Sequence, residues 1–211
     1  MSTNIGNKFP TSTGTQRGFT TKIDIEEYNE NWVNIYKDEK ANILADIELY
    51  IEDIQHIGST AIPSLAAKPT IDICIGVKSL DVADKYMIRN LELKGYDYLQ
   101  FLEEQIPQRR YLQKLDDTEK HLFHIHIVVK DGILWNEHIN FRNYLINHPS
   151  IARKYEELKI SLKAKYSDDR KSYTEGKTEF IRNIVAKTNV IRQDKLTQYM
   201  PQNSKGNKKA G

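Results

Sequence analysis

A single cysteine, Cys74, stands among 211 residues. One thiol cannot pair within its own chain, so a disulfide framework is excluded and a reducing, cytoplasmic setting is the expectation. Long apolar runs are missing too. No stretch approaches the roughly 20 residues that a membrane-crossing helix needs, so no membrane partner is expected. The opening MSTNIGNKFPTSTGTQRGFTT lacks the apolar centre of a signal peptide. Neither charge sign dominates: 31 basic and 29 acidic residues are mixed along the chain, for a net charge of +2. That balance gives no electrostatic case for a nucleic-acid partner. Only the terminal QNSKGNKKAG is basic, and it reads as a solvated, disordered end. No segment repeats another at a fixed period.

What is present is the composition of a globular domain, 39% hydrophobic and 28% charged. Residues 1–20, rich in Ser, Thr, Gly and Asn, read as a flexible arm, and 191–211 as a tail largely disordered at its end. One domain over 21–190 lies between them. Tyr28, Trp32, Ile35, Tyr36, Ile43 and Leu44 recur at helical spacing and predict a helix over about 24–45, with Asp24 as its N-cap. IELYIEDIQHIG then divides into a helix end and a strand running into Gly58. TIDICIGV, residues 70–77, predicts a strand with Ile71, Ile73 and Ile75 on one face and Asp72 and Cys74 on the other. A helix over 80–93 stops at Gly95. Strands follow at YDYLQF, RRYLQKL and HLFHIHIVV, the last two joined by a turn at Asp116-Asp117-Thr118. Helices over 133–147, 150–165 and 170–187 complete the chain. The pattern is α/β (α+β): a mixed β-sheet flanked by helices, with a helical C-terminal part. Tyr28, Tyr36, Tyr144 and Tyr155 fall at helical apolar positions, where core packing explains them better than base stacking.

The chemistry gathers between His56 and Asp72. Gly58 lets a ligand approach the main chain closely. Ser59 and Thr60 add hydroxyls, and a helix starting there would draw a phosphate to its N-terminus. His56 precedes the loop by two positions. Pro63 and Pro69 stiffen the connection, and Lys68 arrives just before the acidic strand, where an ammonium could reach a phosphate. A carboxylate on an otherwise apolar strand is costly unless it is paired, solvated or holding a cation, which singles out Asp72. His124 and His126 alternate with apolar residues and so share a face. There they could bind a metal, clamp a phosphate or act as a general base. Of Arg109 and Arg110, strict alternation puts one toward the site and one away, without saying which.

The string His56-Ile57-Gly58-Ser59-Thr60-Ala61-Ile62-Pro63, then Leu65-Ala66, Lys68-Pro69 and Ile71-Asp72, resembles the GrpB-like family of the nucleotidyltransferase superfamily. His124-Ile125-His126, Phe141-Arg142-Asn143-Tyr144-Leu145, His148-Pro149, Leu158-Lys159, Asp168-Asp169-Arg170 and Tyr173-Thr174-Glu175 continue the likeness, followed by Lys177-Thr178-Glu179-Phe180-Ile181. It covers about 25–187. It implies a nucleotidyltransferase-like fold in which the Gly-Ser loop holds the phosphates of a nucleotide triphosphate and the acids hold a divalent metal, Mg²⁺ or Mn²⁺. The expected ligands are therefore a nucleotide, such a metal and a small-molecule acceptor.

The chain departs from that superfamily at one place. Its usual Asp-x-Asp would put two carboxylates on one metal, because alternate strand residues share a face. Here the second position is Cys74, a soft ligand poorly matched to Mg²⁺. Asp72 with His126, holding Mg²⁺, Mn²⁺ or Zn²⁺, is the substitute metal set the sequence suggests. The expected catalytic residues are Asp72, His124 and His126. The expected phosphate grip is His56, Gly58, Ser59, Thr60, Lys68, Arg109 or Arg110, and Lys177. Transfer of a nucleotidyl or other activated group is the leading expectation. Nucleotide or anionic-metabolite binding without chemistry, and amide-bond formation on the same fold, are the alternatives.

Overall fold

A computed structural model of the chain describes residues 23–199, with backbone alone from 190 onward. The predicted N-terminal arm and the end of the C-terminal tail lie outside the described residues. Strands β1 (Asp53–Ile57), β2 (Ile71–Val77), β3 (Asp97–Tyr98), β4 (Arg109–Leu115) and β5 (His121–Val129) form a five-stranded sheet in the order β1-β2-β5-β4-β3. The β2–β5 pair is parallel and the other pairs are antiparallel. The sheet is therefore mixed, as the sequence implied. Its parallel pair is made by a long crossover through α2 (Leu80–Val82), a π-helical turn (Ala83–Met87), α3 (Ile88–Leu93) and the β3–β4 hairpin.

Helix α1 (Asn31–Ile47) and the α2–α3 segment cover one face of the sheet. Ile71, Ile73, Ile75 and Val77 of β2 meet Phe123, Ile125 and Ile127 of β5 there, under Trp32, Ile43, Ile47, Met87 and Leu91. Side-chain alternation along both strands sends every one of these residues to the same side. The C-terminal helices α4 (Ile133–Asn147), α5 (Pro149–Lys165), α6 (Arg170–Gly176) and α7 (Thr178–Tyr199) cover the other side. Trp135 of α4 packs on Ile57, Cys74 and Val128. It comes that close because Gly76 has no side chain: a Cβ there would lie 2.9 Å from the Trp135 ring. Tyr155 and Ala152 of α5 and Leu145 of α4 close over Ile62 and Leu65 of the β1–β2 connection.

Several boundaries differ from the sequence reading. Helix α1 starts at Asn31, so Asp24 is not its N-cap. The segment before it is held extended, because Glu26 and Ala67 exchange two backbone hydrogen bonds of 2.9 Å, and the Asn29 side chain accepts from the Asn31 N–H instead. YDYLQF forms only the two-residue β3 and passes into a 3₁₀ turn over Gln100–Glu104. The helix expected over 170–187 breaks at Lys177, where Gly176, a weak helix former, lies against Leu162, and α7 then runs on to Tyr199. The turn at Asp116 is as expected: its carboxylate accepts from the Thr118 N–H, the Thr118 hydroxyl and the Lys120 N–H.

Candidate functional site

The register of the sheet builds the site. Asp72 lies opposite His124, and Cys74 opposite His126, across the parallel β2–β5 pair. Ile57 pairs with Asp72 on the other side, so Gly58 follows directly at the carboxylate. Gly58 has φ of 70°, and a Cβ built on it would fall 2.2 Å from Asp72 Oδ2. Both backbone shape and space thus require glycine. Across β5, Tyr111 of β4 faces His126, and Arg109 lies two positions along on the same face.

Asp72 is held by imidazoles. His124 Nδ1 lies 3.0 Å from its Oδ1, and His126 Nε2 lies 4.0 Å from the same oxygen. Burial alone would raise the Asp72 pKa. The hydrogen bonds and charges of His124 and His126 outweigh it and hold the carboxyl well below the usual range.

The bonding continues outward. His124 Nε2 lies 2.9 Å from His121 Nδ1, and His121 Nε2 lies 2.6 Å from Arg170 Nη1. A guanidinium can only donate. Arg170 therefore makes His121 Nε2 an acceptor, which leaves the His121 proton on Nδ1. That proton goes to His124 Nε2, and the His124 proton on Nδ1 goes to Asp72. Both nitrogens of His124 are thus committed in a chain that begins at Arg170. His126 is less tied. Arg109 reaches its Nδ1 at 3.5 Å, and the His138 ring lies 4.9 Å from its own. Burial, with Arg109 nearby, lowers the His126 pKa, and burial with the charges of His126 and Arg109 takes His138 to about 3. Both rings stay neutral near pH 7.

Cations converge on this carboxylate from three directions. Lys68 arrives from the β1–β2 connection and Lys177 from the α6–α7 joint, and Arg170 opens α6. Burial and the positive charge of Arg170 bring Lys68 down to about 8, against the pull of Asp72. Lys177 is likewise brought to about 8 by burial, with Asp72 pulling it up and Arg170 pushing it down. The connection itself is clamped from α5. The Ala66 N–H donates to Glu156 Oε1 at 2.9 Å, and the buried Lys159 ammonium donates to the Ala66 carbonyl. Ser59 hydrogen-bonds with Tyr155 of the same helix.

Not every expected residue reaches the site. His56 pairs with Ile73, so it points to the opposite face from Asp72, where its ring stacks on Tyr36 at 4.8 Å. The Thr60 hydroxyl donates to the Thr70 carbonyl, so His56 Nε2–H must be the donor in their 3.0 Å contact. Burial lowers the His56 pKa to about 4. His56 and Thr60 therefore brace the loop from behind, and neither side chain is offered to a phosphate. The segment after Gly58 is a three-residue 3₁₀ turn, Ser59–Ala61, so the helix N-terminus expected there does not exist. Arg110 lies on the far face, bonded to Asp84 at 2.6 and 2.8 Å and paired with Glu103; Arg109 is the inward one. Lys177, Lys68, Ser59, Gly58, His124, His126 and Asp72 are brought together as expected. His121, His138, Tyr111, Tyr155, Lys159 and Arg170 were not singled out for the site. The Leu158-Lys159 and Asp168-Asp169-Arg170 strings of the family likeness, and His121 at the start of HLFHIHIVV, carried a trace of it.

A hard divalent cation asks for several oxygen donors. This cluster holds one carboxylate. The alternate strand position is Cys74, fully buried under Trp135, with its thiol pushed by burial up to about 12. A thiol so protonated is neither an oxygen donor nor a nucleophile. Among the described residues, no group of three or more His, Cys, Asp or Glu side chains is placed to hold a metal ion. Asp72 Oδ1 and His126 Nε2, the pair expected to hold a metal, face each other at 4.0 Å. With Oδ1 already bonded to His124 and no second carboxylate on the strand, they form a sparse donor set for a hard divalent cation.

A family model described as GrpB protein matches residues 22–187. This chain belongs to the GrpB family. A relative from Alkalihalophilus pseudofirmus, the "Glutamate-rich protein GrpB", is 38% identical over 78% of this chain and 94% of its own length. The crystal structure of a GrpB protein from Enterococcus faecalis matches with a TM-score of 0.71 and 32% identity, over 78% of this chain and 96% of that one. A more distant likeness, with a TM-score of 0.45 and 12% identity, is to the Cid1 poly(U) polymerase, over 67% of this chain and 44% of that one. Every residue of the Asp72 cluster lies inside the GrpB match. Within the described residues, no helix is long and apolar enough to cross a membrane.

Proposed function

We propose that this GrpB-family chain binds a nucleotide triphosphate at the Asp72 cluster and transfers its nucleotidyl group, or another activated group, to a small-molecule acceptor. The observation that carries this reading is the convergence of Lys68, Lys177, Arg170 and Arg109 beside the bare backbone of Gly58. Such a cluster offers charge-assisted donors and close main-chain approach, the two things a phosphate group demands. In the transfer, an acceptor oxygen or nitrogen forms a bond to the α-phosphorus and the bond to pyrophosphate breaks. Pyrophosphate leaves with that electron pair, and the acceptor's proton passes to His126 Nδ1 once Arg109, whose contact there is long at 3.5 Å, turns from it to the phosphate. Asp72 orients the two rings.

Calorimetric titration of the four common nucleoside triphosphates tests the binding half. Saturable binding is expected, weakened about tenfold or more in Lys68→Ala and again in Lys177→Ala, the usual scale for a lost charge-assisted contact. No binding by any of them would overturn the proposal. Pyrophosphate release followed by ³¹P NMR with candidate hydroxyl and amine acceptors tests the transfer half. A second reading, binding without chemistry, is favoured by Cys74 standing where the second carboxylate would be; tight binding with no phosphorus turnover across the panel would select it.

A further inference from the structure

We infer that the Asp72 cluster neutralises a multiply charged phosphate ligand with its own side chains and takes that ligand without a divalent cation. This inference rests on the reading of the cluster as a phosphate site and concerns the form in which the ligand enters.

Charge count is the first argument. Lys68 and Lys177 lie within charge range of Asp72 and of Arg170, Arg170 is tied to Asp72 through His121 and His124, and Arg109 reaches the imidazole of His126 that faces Asp72. With Asp24 also in range of Lys68, four cations stand against two carboxylates. A metal-bound triphosphate brings a cation with it, and that cation would enter a cluster already positive. Like charges in a partly buried pocket repel strongly. A bare triphosphate relieves the repulsion among the cations and makes charge-assisted hydrogen bonds with them.

Donor commitment is the second argument. Asp72 Oδ1 already accepts from His124 Nδ1–H, because the chain from Arg170 through His121 orders the protons that way. His124 has no lone pair left for a metal. At the alternate strand position the buried Cys74 offers no oxygen. The cluster therefore supplies one carboxylate oxygen, Oδ2, where a hard cation asks for several.

The test titrates ATP and, separately, inorganic tripolyphosphate into the full chain, once in excess EDTA and once with Mg²⁺. Both ligands are expected to bind in EDTA, with dissociation constants equal to or lower than those with Mg²⁺, and both to weaken about tenfold or more in Lys68→Ala and Lys177→Ala. Binding that needs Mg²⁺ for both ligands would overturn the inference, as would no binding of either in EDTA. Tripolyphosphate binding in EDTA while ATP does not bind would uphold the metal-free pocket and defeat the nucleotide reading instead. Circular dichroism of each variant separates a lost contact from a lost fold.

Discussion

Strand β2 sends Ile71, Ile73, Ile75 and Val77 to one side and Asp72, Cys74 and Gly76 to the other. Toward α1 and α2–α3 the strand packs on a mainly apolar cluster, and the His56 ring on that side is kept neutral by burial and tied to Thr60. Toward the C-terminal helices the same strand faces His121, His124, His126 and His138 and several lysines and arginines, among them Lys68, Lys177, Arg109 and Arg170. The first face is stabilised by contact area, about 25 cal/mol per Å² of apolar surface buried. On the second, charges of one sign crowd together. That costs stability in the ligand-free chain, and an anion bound there would recover it. The contrast teaches that a residue's face, more than its position in the chain, decides whether changing it harms folding or binding.

Five experiments would break or sharpen that contrast. The largest effect is expected from Ile125→Ala on the core face. Ile125 is fully buried between β2 and β4, and the cavity left behind should cost about 4 kcal/mol in denaturant unfolding, with nucleotide affinity of the folded protein unchanged. Lost binding at retained fold would show that the faces are coupled.

Next is the acid response of His56. Its pKa falls from 6.5 in the unfolded chain to about 4 in the folded one, so between those values the unfolded state holds more protons. Stability should therefore be fully present above pH 6.5 and be lost as the pH falls toward 4, by on the order of 3 kcal/mol. Thermal melts of the wild type and His56→Gln across that range check it; an equal acid slope in both would assign the loss to other groups.

On the site face, Gly58→Ala places a side chain at positive φ against Asp72. It should cost about 2 kcal/mol in unfolding and abolish nucleotide binding. Retained affinity would mean that the Gly58 backbone does not touch the ligand.

The smallest stability effect is expected where two neighbours on β4 part company. Arg110→Ala removes the ion pairs of a partly buried guanidinium with Asp84 and Glu103 and should cost about 1 kcal/mol of stability while leaving affinity unchanged. Arg109→Ala should leave stability similar and weaken triphosphate binding. The lysines add a pH signature to that binding: with Lys68 and Lys177 near 8, affinity should be full below pH 8 and fall as the pH rises through it. Above pH 8 calorimetry in buffers of different ionisation enthalpy should then report proton uptake.

How much of this was legible depended on the range of the cause. Strands β2, β4 and β5 were readable because alternation is written in neighbouring residues, as in His124-Ile125-His126. The start of α1 was misread because a backbone pairing between Glu26 and Ala67, far apart in the chain, overrode a local capping signal at Asp24. His56 was misassigned for a related reason. It is two residues from Gly58 in the chain, yet strand parity turns it to the other face. Of the two arginines, the sequence required that they diverge; the register Arg109–Val128 decided which turned inward.

The sequence by itself determined the mixed sheet, the two-sided character of β2, the Gly58–Asp72 unit and the thiol in place of a second acid. Local periodicity and residue chemistry suffice for these. Only the tertiary structure decided that His121 and Arg170, 49 residues apart, join His124 in one ordered chain to Asp72, and that Lys68 and Lys177 meet over the same carboxylate. The physical reason is that proton direction and charge repulsion depend on distances across the fold, which α6 and the β1–β2 connection set by packing on α5 and which no spacing along the chain encodes.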